Sequence, residues 1–512
     1  MSSVTHTPEQ EQATLGTQLR TASLDHMTNE RSRWVALIVL CVGMLMIVLD
    51  ATIVNVALPS IQHDLHFSQS SLAWVVNAYL ITFGGLLLLA GRLGDLFSRR
   101  GVFLAGLAVF TVASALCGFA HSQTLLVTAR FIQGAGGAMT SAVILGVIVT
   151  MFPEPREQAK AIGVFSFVAS AGGSVGLLLG GVLTQTINWH WIFFVNLPIG
   201  VVTAMLALRY VARDEGIGIK AGADLPGAVL ITAGLMLLVY TIVEPASKHG
   251  WGSSETLLLG AGALALLAGF VARQATARNP LMRLGIFRSR NLSGANAVQA
   301  LMVAGMFGMF FLGALYLRRV LGYDALEIGL AYLPVTVAIG TLSLGYAEKL
   351  ITRFGARTTL LPGLVLIAMG LAYFSRAPIH ASYAADVLPA MLLLGIGAGL
   401  VFPALMTLAM GGVDPSEAGL ASGIVNTSLQ VGGALGLAVL ATLSTTHTKH
   451  LLASGHSAVT AATSGYRLAF LIGVGFALAA FAVGATVLQR VPSPEADADE
   501  LRDAEPAYSE AA

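Results

Sequence analysis

The chain has 512 residues, of which 55% are hydrophobic and only 11% charged, with a mean hydropathy of +0.77. Soluble globular chains are about 25% charged, so this one lacks the polar atoms to cover itself and its solvent must be lipid. A net charge of +1 excludes the strong basic footprint of a nucleic-acid binder and suggests no acidic partner. Two cysteines, Cys41 and Cys117, both in apolar runs, predict free thiols rather than a disulfide framework.

Residues 1–33 are polar and carry Arg20, Arg31 and Arg33. No cleavable signal is visible, because the apolar run that follows is too long and leads into further runs; a disordered tail is expected. About 20 predominantly apolar residues make a membrane span. Fourteen such segments follow, at roughly 34–58, 72–91, 102–120, 124–150, 160–184, 190–209, 225–245, 255–272, 292–316, 326–347, 358–375, 383–410, 418–444 and 467–488. From about Val491 the chain turns acidic and rich in Pro and Ala, which predicts a second disordered tail. The expected fold class is an all-α integral membrane protein.

An even number of spans puts both ends of the chain on one side. With that side cytoplasmic, only Lys248, Arg318, Arg319, Arg376, Lys449 and Arg467 of the 28 Lys and Arg fall outside. Arg130 falls within the membrane and the rest lie on the cytoplasmic side. The bias predicts cytoplasmic termini and a multi-pass protein of the cytoplasmic membrane. Nine of the 11 histidines land outside, where solvated loops account for them more simply than a pH sensor or a metal site at His447-x-x-His450.

An internal repeat sets the architecture. Pro155-x-Glu157-x5-Gly163 recurs as Pro415-x-Glu417-x5-Gly423, and Gly172-Gly173-x2-Gly176 as Gly432-Gly433-x2-Gly436. Gly91 to Gly101, with Arg99 between, is echoed by Gly345 to Gly355 with Arg353. Spans one to six therefore match spans nine to fourteen. The expected organisation is a six-helix bundle over 34–213, an inserted helix pair and linker over 214–290, and a second six-helix bundle over 291–490. Repeated six-span halves are a plan of secondary transporters, with the substrate site between them near the midplane.

Asp50 stands inside the first apolar run, between Cys41–Leu49 and Ile53–Leu58. A carboxylate at a span centre costs about 2.5–3.5 kcal/mol on insertion scales and usually faces a bundle interior or a wet cavity. Asp50 is thus the first candidate for a proton or cation site, the plainer alternative being a structural acid bonded to a neighbouring helix. Arg130 opens the fourth span in Arg130-Phe-Ile-Gln133-Gly134 and needs a partner at that depth. Asp50 is the in-membrane acid that can serve, either as a proton-coupling pair or as a structural salt bridge.

Between spans two and three, Gly91-Arg92-Leu93-Gly94-Asp95-Leu96-Phe97-Ser98-Arg99-Arg100-Gly101 combines glycines for close helix approach with Asp95, Arg99 and Arg100 for pairing. It reads as a gating charge latch or as positive-inside anchoring. Span five carries Gly163, Gly172, Gly176, Gly180 and Gly181, a groove for a neighbouring backbone. Asn55, Gln133, Glu244 and Asp386 are the remaining polar groups able to meet a substrate or cation, although Glu244 and Asp386 fall near an interface. Met44, Met46, Met302, Met306, Met309, Phe307, Phe310 and Phe311 suit an adaptable cavity or plain packing.

With these residues in hand, the chain resembles the major facilitator superfamily, in particular its fourteen-span drug:proton antiporters, over about residues 34–490. Leu49-Asp50-x-Thr52-Ile53-Val54-Asn55-Val56-Ala57-Leu58-Pro59 and Trp74-Val75-Val76-Asn77-Ala78-Tyr79-Leu80 are similar to that subfamily's first two span signatures. Arg130-x2-Gln133-Gly134 resembles the motif to which proton transfer is attributed, the span-five glycines the antiporter motif, and Trp191 to Gly200 the span-six signature. It departs at Leu177, where the family carries proline, at Leu96 and Ser98 in the loop, and at His190, where Arg is common.

The resemblance implies a working monomer that exports hydrophobic or amphipathic drugs in exchange for protons, with no cofactor and no metal. A same-fold exporter of a physiological solute, such as a self-made antibiotic, a siderophore or a lipid, is the alternative. A membrane enzyme or receptor is the less favoured third reading: no Gly-x4-Gly-Lys-Ser/Thr loop, no His-Glu-x2-His and no sizeable extramembrane domain occur, which argues against ATP-driven pumping and metal-dependent hydrolysis.

Overall fold

The computed structural model describes residues 8–489 except 153, 215, 217, 219–221, 412 and 414–417, with side chains from residue 31 onward except at 247, 344, 418, 419 and some of 155–174. Fourteen long helices follow in order. They are α1 (Pro8–Asp64), α2 (Gln69–Leu96), α3 (Arg99–Gly118), α4 (Gln123–Met151), α5 (Pro155–Thr186), α6 (Trp191–Tyr210) and α7 (Leu225–Val243). Then come α8 (Ser254–Thr276), α9 (Arg290–Arg319), α10 (Ala325–Gly345), α11 (Ala356–Phe374), α12 (Leu388–Met410), α13 (Ala418–Ala453) and α14 (Ala458–Thr486).

Thirteen helices are long and apolar enough to cross a membrane among the described residues. The fourteenth expected span coincides with α5, whose 32 residues suffice in length and whose described apolar portion is Val175–Thr186. Helical backbone also runs through residues 8–33, where a disordered tail was expected. The run Glu9–Leu19 is rich in Glu, Gln, Ala and Leu, and such straight-chain residues lose little freedom in a helix. The membrane-length portion of α1 is Arg31–Asp64. The acidic end from residue 490, expected to be a tail, lies outside the described residues, as do Pro415 and Glu417 of the repeat.

Helix starts follow from local chemistry. Ser68, Ser98, Ser122, Asp224, Ser253, Ser289, Asp324 and Ser457 each accept a first-turn N–H, and Asp324 closes a capping box with Glu327. Such caps satisfy amides that the helix leaves unpaired.

The repeat read from the sequence is a repeat of packing. α1 lies on α5 as α9 lies on α13; α2 and α3 meet α4 as α10 and α11 meet α12; α3 meets α6 as α11 meets α14. The two halves touch along α2 against α13 and, in the matching position, α5 against α10. Glycines make these approaches possible. A Cβ on Gly176 would stand 2.9 Å from the Leu49 carbonyl on α1, and one on Gly436 2.2 Å from Ala304 Cα on α9.

The inserted helix α7 leans on both halves. Its Thr232 fills the space above Gly85 on α2, while Thr442 of α13 donates to the Ile242 carbonyl at 3.2 Å. α8 packs on α7 and presents Leu257, Leu258, Leu264 and Val271 outward. Cys41 and Cys117 are buried free thiols.

Candidate functional site

Asp50 and Arg130 form an ion pair in the core of the first half. Arg130 Nη1 donates to Asp50 Oδ2 at 2.6 Å, and the two residues are 1% and 0% exposed. Asp50 Oδ1 accepts from Gln133 Nε2 at 2.8 Å and from Asn196 Nδ2 at 3.0 Å. Arg130 also donates to Gln133 Oε1 at 2.7 Å and, through Nε, to the Val75 carbonyl at 2.9 Å. Ser114 Oγ accepts from both amides, Gln133 at 2.7 Å and Asn196 at 3.3 Å.

The network thus gathers α1, α2, α3, α4 and α6 around one carboxylate. Removing two charges from water costs several kcal/mol each, repaid only where further hydrogen bonds fill the remaining valences. Here they do, and the guanidinium also lies 4.4 Å from the Tyr79 ring centroid. Two polar atoms beside the pair, Tyr79 Oη and Asn196 Oδ1, are buried without partners among the described residues.

Asp50 and Arg130, read from the sequence as partners, thus meet inside the first half, the bundle in which both were expected to lie. Gln133, read as a possible substrate contact, is engaged within the network. Asn196, Ser114 and Tyr79 complete it; Tyr79 and Asn196 fall within the second- and sixth-span signatures without having been given a role, and Ser114 was not singled out. The available signal was an amide and a hydroxyl standing alone in apolar spans.

The loop after α2 is organised differently from a bare charge latch. Arg99 Nη2 meets Asp95 Oδ1 at 3.1 Å and its Nη1 donates to the Gly146 carbonyl on α4 at 3.3 Å. Gly94 permits this, since a Cβ there would stand 2.5 Å from Val143 Cγ1. Gly91 sits one turn earlier, with Ala142 as its neighbour at 4.0 Å. Arg100 donates to the Leu208 carbonyl.

The unexpected member is Asp214, from the connector after α6. It accepts from Ser98 Oγ at 2.6 Å and from the N–H groups of Arg99 and Arg100 at 2.6 and 3.1 Å. Ser98, where the family motif has glycine, is thus the helix cap and the docking point for that connector.

Partial burial works against the Asp214 carboxylate, but its hydrogen bonds from Ser98, Arg99 and Arg100 prevail and hold its pKa below the ordinary value. The stabilisation is complete above the unfolded-state pKa and is lost as pH falls through the lower native one. At neutral pH, Asp214→Ala should cost about 0.3–1 kcal/mol, the usual worth of an exposed carboxylate at a helix N-terminus, and raise amide exchange at residues 98–101. Unchanged exchange there would show that the contact carries no stability.

On α5, Gly172, Gly176 and Gly180 face α1, whereas Gly181 meets Ala325 and Leu326 of α10. Gly163 lies on α5 among positions whose surroundings are not described. Leu177, in place of the family's proline, is buried and its carbonyl approaches Gly329. Asn55 donates to the Ala51 carbonyl of its own helix at 3.2 Å. Glu244 accepts from Ser71 of α2 at 3.1 Å and pairs with Lys248. Asp386 accepts from the Ser382 N–H at 2.8 Å, closing the turn before α12. Met46, Met302, Met306, Met309 and Phe311 are core residues, while Met44, Phe307 and Phe310 are half-buried.

At the face opposite the chain termini, His190 stacks on Trp189 at 3.7 Å between centroids and bonds the Gly118 carbonyl through Nδ1 at 2.9 Å. Burial lowers its pKa, against the pull of that bond and of Asp64.

Comparison with known proteins places this geometry. The family model of the Major Facilitator Superfamily matches residues 40–437. The chain is 38% identical over 461 residues to the puromycin resistance protein pur8 of Streptomyces alboniger, covering 90% of each. It is 38% identical over 431 residues to the cephamycin export protein CmcT of Amycolatopsis lactamdurans, covering 83% of this chain and 88% of that one. Among solved structures, the POT family transporter PepTSo superposes with a TM-score of 0.65 at 17% identity, over 88% of this chain and 97% of that one. A bacterial homologue of the human lysosomal transporter Spinster gives 0.64 at 16%, over 90% and 99%. At such identities the likeness is one of fold.

Proposed function

Because the chain belongs to the Major Facilitator Superfamily and is a membrane transporter rather than an enzyme, we propose that it exports drug-like antibiotics across the cytoplasmic membrane in exchange for protons. The observation that carries the proton half of this reading is the fully buried Asp50–Arg130 pair. Support for the cargo half comes from relatives named for puromycin resistance and cephamycin export.

In this reading the charged pair is the proton-empty form. A proton arriving on Asp50 removes the charge that Arg130 balances, and the unpartnered Asn196 Oδ1 and Tyr79 Oη supply the means to re-pair. The guanidinium keeps its bonds to the Val75 carbonyl and Gln133. Re-pairing shifts α1 against α4 and α6, and that shift is transmitted through the glycine contact of Gly176 with α1 to α5 and the seam with α10. The positive-inside bias orients both termini to the cytoplasm.

The energetics are adequate: one charge crossing about 100 mV yields ~2.3 kcal/mol, which sustains a roughly fifty-fold gradient. Puromycin efflux from cells expressing the protein, measured with and without an uncoupler, tests the coupling. Efflux should stop when the proton gradient collapses; efflux that continues unchanged would remove antiport. A dedicated exporter of one physiological solute is the second reading, supported by relatives named for single compounds. Uptake of a compound panel by everted vesicles separates the two by breadth.

A further inference from the structure

The seam between α2 and α13 contains polar atoms that the closed arrangement leaves unsatisfied. Asn77 is 0% exposed and neither its Nδ2 nor its Oδ1 has a partner among the described residues. It stands two helical turns from Gly84, on the same face of α2. A Cβ on Gly84 would lie 2.9 Å from Gln430 of α13, and Gln430 Oε1 is also buried without a partner. At the far end of the seam Gln69 Nε2 donates to Ser444 Oγ at 3.2 Å.

These two points fix the register of the antiparallel pair. By helical spacing Asn77 comes level with Ala434, Leu437 and Ala441, which are buried and apolar and cannot answer an amide. The α4-facing side of α2 is elsewhere, at Tyr79 and Thr82 against Gly134, so Asn77 does not belong to the Asp50 network.

A buried carboxamide with both atoms orphaned is costly in the closed seam. It is of use only where the seam parts, because a free amide offers one donor side and one acceptor side at once. We propose that Asn77, with Gln430 two turns or about 10 Å along the facing wall of the seam, forms a binding position for neutral amide- or hydroxyl-bearing parts of the cargo, reached when α2 and α13 separate at the Gln69–Ser444 end. The proposal rests on the exporter reading and adds cargo chemistry to it: recognition here is by paired hydrogen bonds, with no charge at the site. Compounds without a donor or acceptor gain nothing from it.

Two measurements on the full-length protein test this. In the first, binding of puromycin, which has amide and hydroxyl groups, is compared with binding of tetraphenylphosphonium, which has neither. Asn77→Leu should weaken puromycin binding tenfold or more, leave tetraphenylphosphonium within twofold, and raise the melting temperature because the orphaned amide is gone. Gln430→Leu should shift the same ratio in the same direction. Equal loss of both probes, or no change in either, overturns the proposal.

In the second, Asn77→Cys in sealed vesicles is treated with a membrane-impermeant maleimide on the face opposite the chain termini, with buried Cys41 and Cys117 as unlabelled references. Labelling at position 77 supports an opening seam, and its absence overturns one. If the wild type binds neither probe, the exporter reading fails and the labelling decides the seam by itself.

Discussion

Arg130→Met is expected to lose about 3–5 kcal/mol of stability, because the substitution strands the Asp50 carboxylate in a fully buried site. The loss should exceed that of any substitution on the lipid-facing side of α8. Melting of the purified protein, followed by intrinsic fluorescence or by size-exclusion of heated samples, reads it directly. Arg130 has three roles at once: it balances Asp50, bonds the Val75 carbonyl and bonds Gln133. Methionine keeps the volume and removes all three.

Asp50→Asn separates chemistry from packing at the same place. The amide oxygen can still accept from Arg130 or Gln133, so the variant should fold in larger yield than Arg130→Met. It cannot release a proton. Drug-induced proton release from proteoliposomes should fall to background, and export against a gradient should stop while downhill exchange persists. Proton release at the wild-type rate would show that another group carries the proton, and the coupling role of Asp50 would be withdrawn.

The second large effect lies in the glycines that hold each half together. Gly176→Val and Gly436→Val place a branched side chain where a single Cβ would already stand 2.0 Å from Thr52 Oγ1 and 2.2 Å from Ala304 Cα. The neighbour at Gly436 is backbone, which cannot turn aside as a side-chain end does. Overpacking of this kind costs about 1–3 kcal/mol and occasionally more; both variants should fall at or above the upper end, with loss of transport. Gly475→Ala on α14 is the control, since nothing lies within 4 Å of a Cβ there and alanine favours a helix over glycine by about 1 kcal/mol. Equal tolerance of all three would mean that α5 and α13 do not pack as closely as described.

Much of this architecture is carried by local sequence. Hydrophobic runs place the helices, because in lipid each backbone amide must be satisfied within its own segment. Serines and aspartates such as Ser122, Ser253 and Asp324 mark helix starts for the same reason. The repeat of Gly172 and Gly176 at Gly432 and Gly436 announced two matching halves, and α1–α5 and α9–α13 are indeed matching pairs. A lone acid and a lone arginine in apolar spans had to find each other, since neither could remain unpaired.

What the sequence could not determine is convergence. Which face of α1 carries Asp50 toward α3, α4 and α6 depends on how five helices cross, and spacing within one helix says nothing of that. Asn196 and Ser114 became part of the site only through that crossing. So did the docking of Asp214, more than 100 residues along the chain, onto the loop at Ser98. Asn77 makes the same point in reverse: its signature was legible, but only the apposition of α2 with α13 reveals that its amide is left without a partner. Sequence sets which groups need company in a low-dielectric medium; the three-dimensional packing decides which of them receive it.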